Sequence, residues 1–246
     1  DKDYDLGIIL HKGSLNTSFA LLKNKVKYRV GCAKVGILSG KGYFLNKKIK
    51  PNLKEQHKID DNLDVIRSIG ADTIDKSLDL KVDKNIDDHI MKLFKDNKLK
   101  KFKVVIHPGA NYKSHLWVKS RYKRVIEYLM NNYNASIIIT GNKGDIGLAE
   151  DICNSVDKKI SNLAGKTNIK EFISVIKNSD FVLSVDTSAM HIAAAFKKPI
   201  VAIFGDGHPN VWYPYTDKRE ALFKDYNTSN ITEEDVIDAI DRMLIK

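Results

Sequence analysis

Asp186, Thr187 and Ser188, with His191 three residues further on, put a carboxylate, two hydroxyls and an imidazole on one short stretch of FVLSVDTSAMHIAAAF, residues 181–196. These residue types can hold a phosphorylated sugar. Free N–H groups at a helix start attract a phosphate, and hydroxyls and imidazole add hydrogen bonds. A carboxylate repels phosphate and instead accepts from sugar hydroxyls. The segment taken alone also fits an ordinary capped helix with a half-buried histidine. Its frame is legible: Phe181 to Val185 reads as a buried parallel strand, Met190 to Phe196 as a helix whose alanines allow close packing on a sheet, and Asp186 as the cap between them.

Other apolar runs end in similar loops. Val104-Val105-Ile106 leads into His107-Pro108-Gly109-Ala110-Asn111, and Ile137-Ile138-Ile139 into Thr140-Gly141-Asn142-Lys143-Gly144. Pro199 to Phe204 leads into Gly205-Asp206-Gly207-His208-Pro209, with Asn162-Leu163-Ala164-Gly165-Lys166-Thr167 lying between. In an open α/β sheet such strand ends line one crevice. Together, from about Lys103 to Pro214, these ordered motifs resemble glycosyltransferase family 9, the heptosyltransferases of lipopolysaccharide core synthesis.

The resemblance implies a GT-B fold of twin Rossmann-like domains. It also implies inverting transfer of a sugar, heptose from ADP-heptose, to a lipopolysaccharide-type glycolipid acceptor, without a metal or other cofactor. It assigns substrate binding to the loop Gly109, Ala110 and Asn111, to Thr140, Gly141 and Asn142 beside the ribose, and to Lys166 and Thr167 near the base. Asp186 would accept from sugar hydroxyls, while Thr187, Ser188 and His191 would hold the diphosphate. The family pattern has a Lys two residues before a Trp to neutralise phosphate. Here His115 stands two before Trp117, with Lys113 two residues earlier, and Lys113 is the preferred of the two. The family also has Gly where Ser188 stands, so the loop requires a negative φ there. The family's Gly-Asp turn, whose carboxylate serves as general base, has no match. That Asp is expected upstream of Asp1, the chain reading as a fragment; failing that, Asp5, His11 or Asp206 are candidates. A non-catalytic sugar-nucleotide-binding module and a GT-B nucleotide-sugar epimerase are the alternatives.

The elements needed to position these residues alternate along the chain. Asp5 to Leu10 reads as a strand, and Leu15 to Leu22, Asp61 to Ile69 and Asn85 to Phe94 as helices. The charged, unpatterned NKLKKFK, residues 97–103, marks a boundary between an acceptor-side domain over 1–100, incomplete at its start, and a nucleotide-sugar-binding domain over 101–246. In the latter, helices at Arg121 to Asn131, Asp145 to Val156, Ile169 to Lys177 and Thr232 to Leu244 alternate with strands, which predicts a doubly wound parallel sheet.

The 246 residues are 43% hydrophobic, enough for a large core, and no apolar run exceeds strand length. A cytoplasmic protein is expected, peripheral to the membrane at most. Net charge +10 favours anionic partners: the nucleotide sugar and an anionic lipid surface. Nucleic acid is not expected, because Tyr122 and Tyr128 at helical spacing read as half-buried helix residues rather than a stacking platform. Cys32 and Cys153 stand far apart and read as free thiols. No Walker loop, dinucleotide fingerprint, His-Glu-x-x-His or nucleophile elbow occurs, which removes the main support for kinase, dehydrogenase, zincin and hydrolase readings.

Overall fold

The computed structural model describes residues 3–10, 15–32, 42–50 and 54–244. His11 lies outside them. The chain divides into two compact units, Asp1–Lys76 with Asn210–Trp212, and Ser77–Pro209 with Tyr213–Lys246. In the first, β1 (Leu6–Ile9), β2 (Tyr28–Cys32) and β3 (Lys47–Ile49) form a parallel sheet in the order β1-β2-β3. Its helices are α1 (Leu15–Lys23) and α2 (Lys58–Arg67), and Ile9, Val26, Val30, Leu45 and Val65 are buried.

The second unit starts with α3 (Lys84–Asp96), ahead of the 97–103 stretch read as a boundary. Asp87 explains the difference. Its carboxylate accepts from Ser174 Oγ (2.8 Å), Lys177 Nζ (2.6 Å) and Asn178 Nδ2 (2.7 Å), tying α3 to the helix that carries those residues or ends beside them, α6 (Ile169–Lys177). The strands are β4 (Lys103–His107), β5 (Ser136–Ile139), β6 (Ser161–Asn162), β7 (Phe181–Val185), β8 (Ile200–Phe204) and β9 (Arg219–Phe223). They pair in parallel in the order β6-β5-β4-β7-β8-β9. This is the doubly wound arrangement that the alternating pattern predicts.

Val104, Ile106, Ile137, Ile139, Leu183, Val201 and Ile203 join one core cluster. Residues of α4 (Arg121–Asn132), α5 (Ile146–Asn154) and α9 (Glu233–Leu244) complete it. The alternate residues Val105, Ile138, Val182 and Ala202 are also fully buried, so both faces are covered. On β7 and β8 lies α7 (Ser188–Ala195), brought close by Ala189, Ala193 and Ala194, all buried. A short α8 (Pro209–Trp212) follows β8. No helix among the described residues is long and apolar enough to cross a membrane.

Candidate active site

From β4 the chain moves outward to β5 and β6, then returns to the other side of β4 for β7, β8 and β9. The strand order therefore reverses between β4 and β7. At that point neighbouring loops diverge and leave a crevice at the carboxyl ends of the strands. Here the crevice is a cleft of about 440 Å³. Of the residues singled out from sequence, Gly109, Ala110, Asn111, His115, Gly141, Asn142, Thr167, Asp186, Thr187 and Ser188 line it.

Glycine lets the β4 and β5 loops meet. A Cβ on Gly109 would collide with the Asp145 carboxylate, and one on Gly141 would sit 2.7 Å from Asp145 Cβ. Asp145 in turn accepts from the Asn142 N–H (2.8 Å), and the Asn142 side chain accepts from the Gly144 N–H (2.6 Å). This reciprocal box fixes Asn142 at the cleft edge.

The floor holds a histidine that stays neutral. His107 Nδ1 lies 3.0 Å from Thr140 Oγ1 and its ring lies against Phe172, centroids 5.1 Å apart. Burial pushes its pKa down to about 4, against the pull of the Asp145 charge. At neutral pH it is thus a hydrogen-bonding group and not a cation. Thr140 is fully buried behind it and does not line the cleft.

On the other wall His115 stands between two carboxylates. Its Nε2 lies 2.8 Å from Asp206 Oδ1, and its Nδ1 lies 3.3 Å from the Asp186 carbonyl oxygen and 3.6 Å from Asp186 Oδ2. Burial raises the Asp186 pKa, His115 offsets part of this, and Asp206 adds to it. Gly207 leaves room for the Asp186 carboxylate, and a Cβ on Gly205 would strike the Ser114 carbonyl oxygen. The two glycines after β8 therefore let that loop close on Asp186 and on the turn Lys113–His115.

Thr187, rather than Asp186, caps α7: its Oγ1 accepts from the Ala189 N–H (3.4 Å) and pairs with Ser184 Oγ (3.1 Å). Asp186 remains available to the cleft. Ser188 opens the helix and is not among the positive-φ residues, as the loop requires in the absence of glycine. His191, in the first turn, is half-buried and does not line the cleft. Neither does Lys113, which is exposed, nor Lys166, whose ammonium donates to the Asn162 carbonyl (2.9 Å).

Sequence reasoning did not single out five lining residues: His107, Tyr112, Asn168, Ile169 and Phe172. Asn168 had a signal, since Asn168-x-x-Glu171 is a capping box, and the structure forms it at the start of α6. Ile169 and Phe172 then follow on the first turn, and Ile169 is 62% exposed. Among the described residues, no group of three or more His, Cys, Asp or Glu side chains is placed to hold a metal ion.

The sequence profile of glycosyltransferase family 9 (heptosyltransferase) matches residues 1–240. The chain belongs to glycosyltransferase family 9. Among family members, it is 32% identical over 116 residues to lipooligosaccharide heptosyltransferase 2 of Haemophilus influenzae, a match covering 45% of this chain and 33% of that protein. The match thus spans a third of that relative's length. The family 9 glycosyl transferase structure from Veillonella parvula superposes with a TM-score of 0.85 at 19% identity, over 100% of this chain and 75% of that one. E. coli heptosyltransferase WaaC with ADP-2-deoxy-2-fluoro heptose gives 0.70 at 18% identity, over 98% and 73%. The fold of this family 9 chain is accordingly of the GT-B type.

Proposed function

We propose that this cleft binds a nucleotide diphosphate sugar and that the chain takes part in inverting glycosyl transfer, of heptose from ADP-heptose, to a lipopolysaccharide-type glycolipid. One observation carries the reading: the order reversal between β4 and β7 brings the Gly109 loop, the Asn142 turn and the Thr187-capped start of α7 into one cleft. Family membership supports it, and so does the ADP-sugar analogue named for the E. coli structure.

The leaving diphosphate needs fixed donors where its charge develops. In this reading the start of α7, the Ser188 hydroxyl and the Gly109-Ala110-Asn111 backbone supply them, with His115 on the opposite wall. Asp186 accepts from sugar hydroxyls, since its half-buried carboxylate would repel the phosphates. Asn142 takes the ribose, and the base lies against Thr167, Ile169 and Phe172. A nucleotide-sugar donor places the reaction in the cytoplasm, and a glycolipid acceptor brings the enzyme to a membrane face.

Calorimetric titration with ADP, ADP-heptose, UDP and UDP-glucose tests the reading. Saturable binding of the ADP compounds, weakened at least ten-fold in Ser188→Pro and in Gly109→Val, is the expected result. Binding of none of the four nucleotides, or binding indifferent to both substitutions, overturns it.

A further inference from the structure

His115 stands in the cleft with an oxygen at each ring nitrogen. Its Nε2 lies 2.8 Å from Asp206 Oδ1, while Nδ1 lies 3.3 Å from the Asp186 carbonyl oxygen and 3.6 Å from Asp186 Oδ2. A carbonyl and an ionised carboxylate can only accept, and a neutral imidazole has a single N–H to donate. In the neutral ring one nitrogen lone pair therefore faces an oxygen lone pair. The doubly protonated ring donates on both sides. Those sides differ: the Nε2 distance is that of a charge-assisted hydrogen bond, and both Nδ1 distances are longer than one. Asp206 does not line the cleft and its side chain is 57% exposed, whereas Asp186 lines the cleft and is largely buried. Nε2 is thus engaged behind the ring, and Nδ1 is turned to the side where Asp186, Thr187 and Ser188 line the cleft. The loop that carries Asp206 is pinned on both flanks, Gly205 against the Ser114 carbonyl oxygen and Gly207 against Asp186 Oδ2.

We propose, on the donor reading of the cleft, that Asp206 is a positioning residue: its carboxylate holds His115 as an imidazolium whose Nδ1–H donates to the diphosphate of the nucleotide sugar. A phosphate oxygen is a stronger acceptor than a carbonyl oxygen at 3.3 Å, so it takes the Nδ1–H when the donor enters. Donor affinity then depends on a proton carried by this chain. The charged groups facing the ring are acidic: Asp206 from the loop after β8 and Asp186 from the end of β7. From the ring's own turn, Tyr112 brings its ring to 5.5 Å between centroids, and Lys113 is exposed.

Calorimetric titration with ADP-heptose between about pH 5.5 and 8.5 tests this. Both phosphates of ADP-heptose are esterified and keep their charge over that range, whereas the terminal phosphate of ADP takes up a proton at about pH 6. Affinity is expected to fall about ten-fold or more as pH rises, the effect of losing a charge-assisted hydrogen bond. His115→Lys, a cation throughout, should bind with little dependence on pH, and His115→Gln should stay at the weak, high-pH level. Burial raises the Asp186 carboxyl, so it too gains protons as pH falls. His115→Lys shares that change, and the difference between the two chains reports the ring alone. Asp206→Asn separates positioning from packing. It should bind as tightly as the unsubstituted chain at the acidic end, where the ring is charged without help, and up to about five-fold more weakly near neutral pH. In the His115→Lys background the same change should leave the profile level. Thermal melts check that each variant is folded. Affinity for ADP-heptose that is equal at both ends of the range, or an Asp206→Asn variant weakened equally at every pH, overturns the proposal and leaves the donor reading standing. Failure to bind ADP-heptose at any pH overturns the proposal, and failure to bind ADP, UDP and UDP-glucose as well overturns the donor reading with it.

Discussion

Burial lifts the Asp186 carboxyl above its ordinary range even though His115 lies beside it, so the ionised form that the proposed site uses is held against a desolvation cost. In the folded chain this group takes up its proton at a higher pH than in the unfolded chain. Between those two values the folded state binds more protons, and stability falls as pH rises. Asp186→Asn should therefore raise the thermal midpoint at pH 7, with the gain shrinking towards pH 3, where the carboxyl is neutral in both states. The same variant should weaken ADP-heptose binding by about 1 to 3 kcal/mol through the lost charge-assisted hydrogen bond. Paired melting curves and titrations check both; an Asn variant less stable at pH 7 contradicts the account. At the neighbouring position geometry separates two candidates. His115 lines the cleft and Lys113 does not, so His115→Ala should cost more ADP affinity than Lys113→Ala, measured by titration at pH 6 and 7. That distinction was not legible in sequence, where the two stand two residues apart and the longer, permanently charged side chain looked better suited. It depends on Asp206, which reaches His115 from a loop ninety residues away only because glycines flank it.

At the scale of elements, α3 is joined to α6 through a single carboxylate. Burial by itself would raise the Asp87 carboxyl, but hydrogen bonds from Lys177, Ser174 and Asn178 outweigh it and hold the group below its ordinary range. Its stabilising contribution is thus complete above the unfolded value of about 3.9 and is lost as pH falls through the lower folded value. Asp87→Ala removes an acceptor shared by three donors, of which Asn178 keeps the Ser174 carbonyl, and should cost about 1 to 3 kcal/mol in denaturant unfolding at pH 7, the cost shrinking as pH falls below about 3.9. The sequence could not show this tie, because its partners lie about ninety residues away. Elements with strong local patterns were legible: β7 and β8 as unbroken apolar runs, α6 and α9 by cap and periodicity. Those without one were not. In Tyr28–Cys32 and Lys47–Ile49 Arg, Gly or Lys residues interrupt or displace the apolar ones, and Arg219–Phe223, half-exposed at a sheet edge, opens on two charged residues. Each is a strand because a neighbouring backbone offers it a parallel ladder.

For the whole molecule, the distribution of core and site between the two units decides what a part of the chain can do. All residues lining the cleft belong to the second unit, as do the six-stranded sheet, the helices on both its faces and the core cluster that joins β4, β5, β7 and β8 to α4, α5 and α9. The 3-stranded sheet of the first unit has its own small core around Val30 and Val65. A chain of residues 77–246 therefore retains the elements that position the proposed donor site. It should unfold in one cooperative step and bind ADP within a few-fold of the 246-residue chain. Because a ligand that binds only the folded state stabilises it by mass action, ADP at a hundred times its dissociation constant should add about 2.7 kcal/mol to either chain. Calorimetric melts of both chains with and without ADP make the comparison. A shortened chain that melts cooperatively yet gains nothing from ADP would show that donor binding depends on residues before Ser77, and would move the site assignment away from the strand ends of the second sheet.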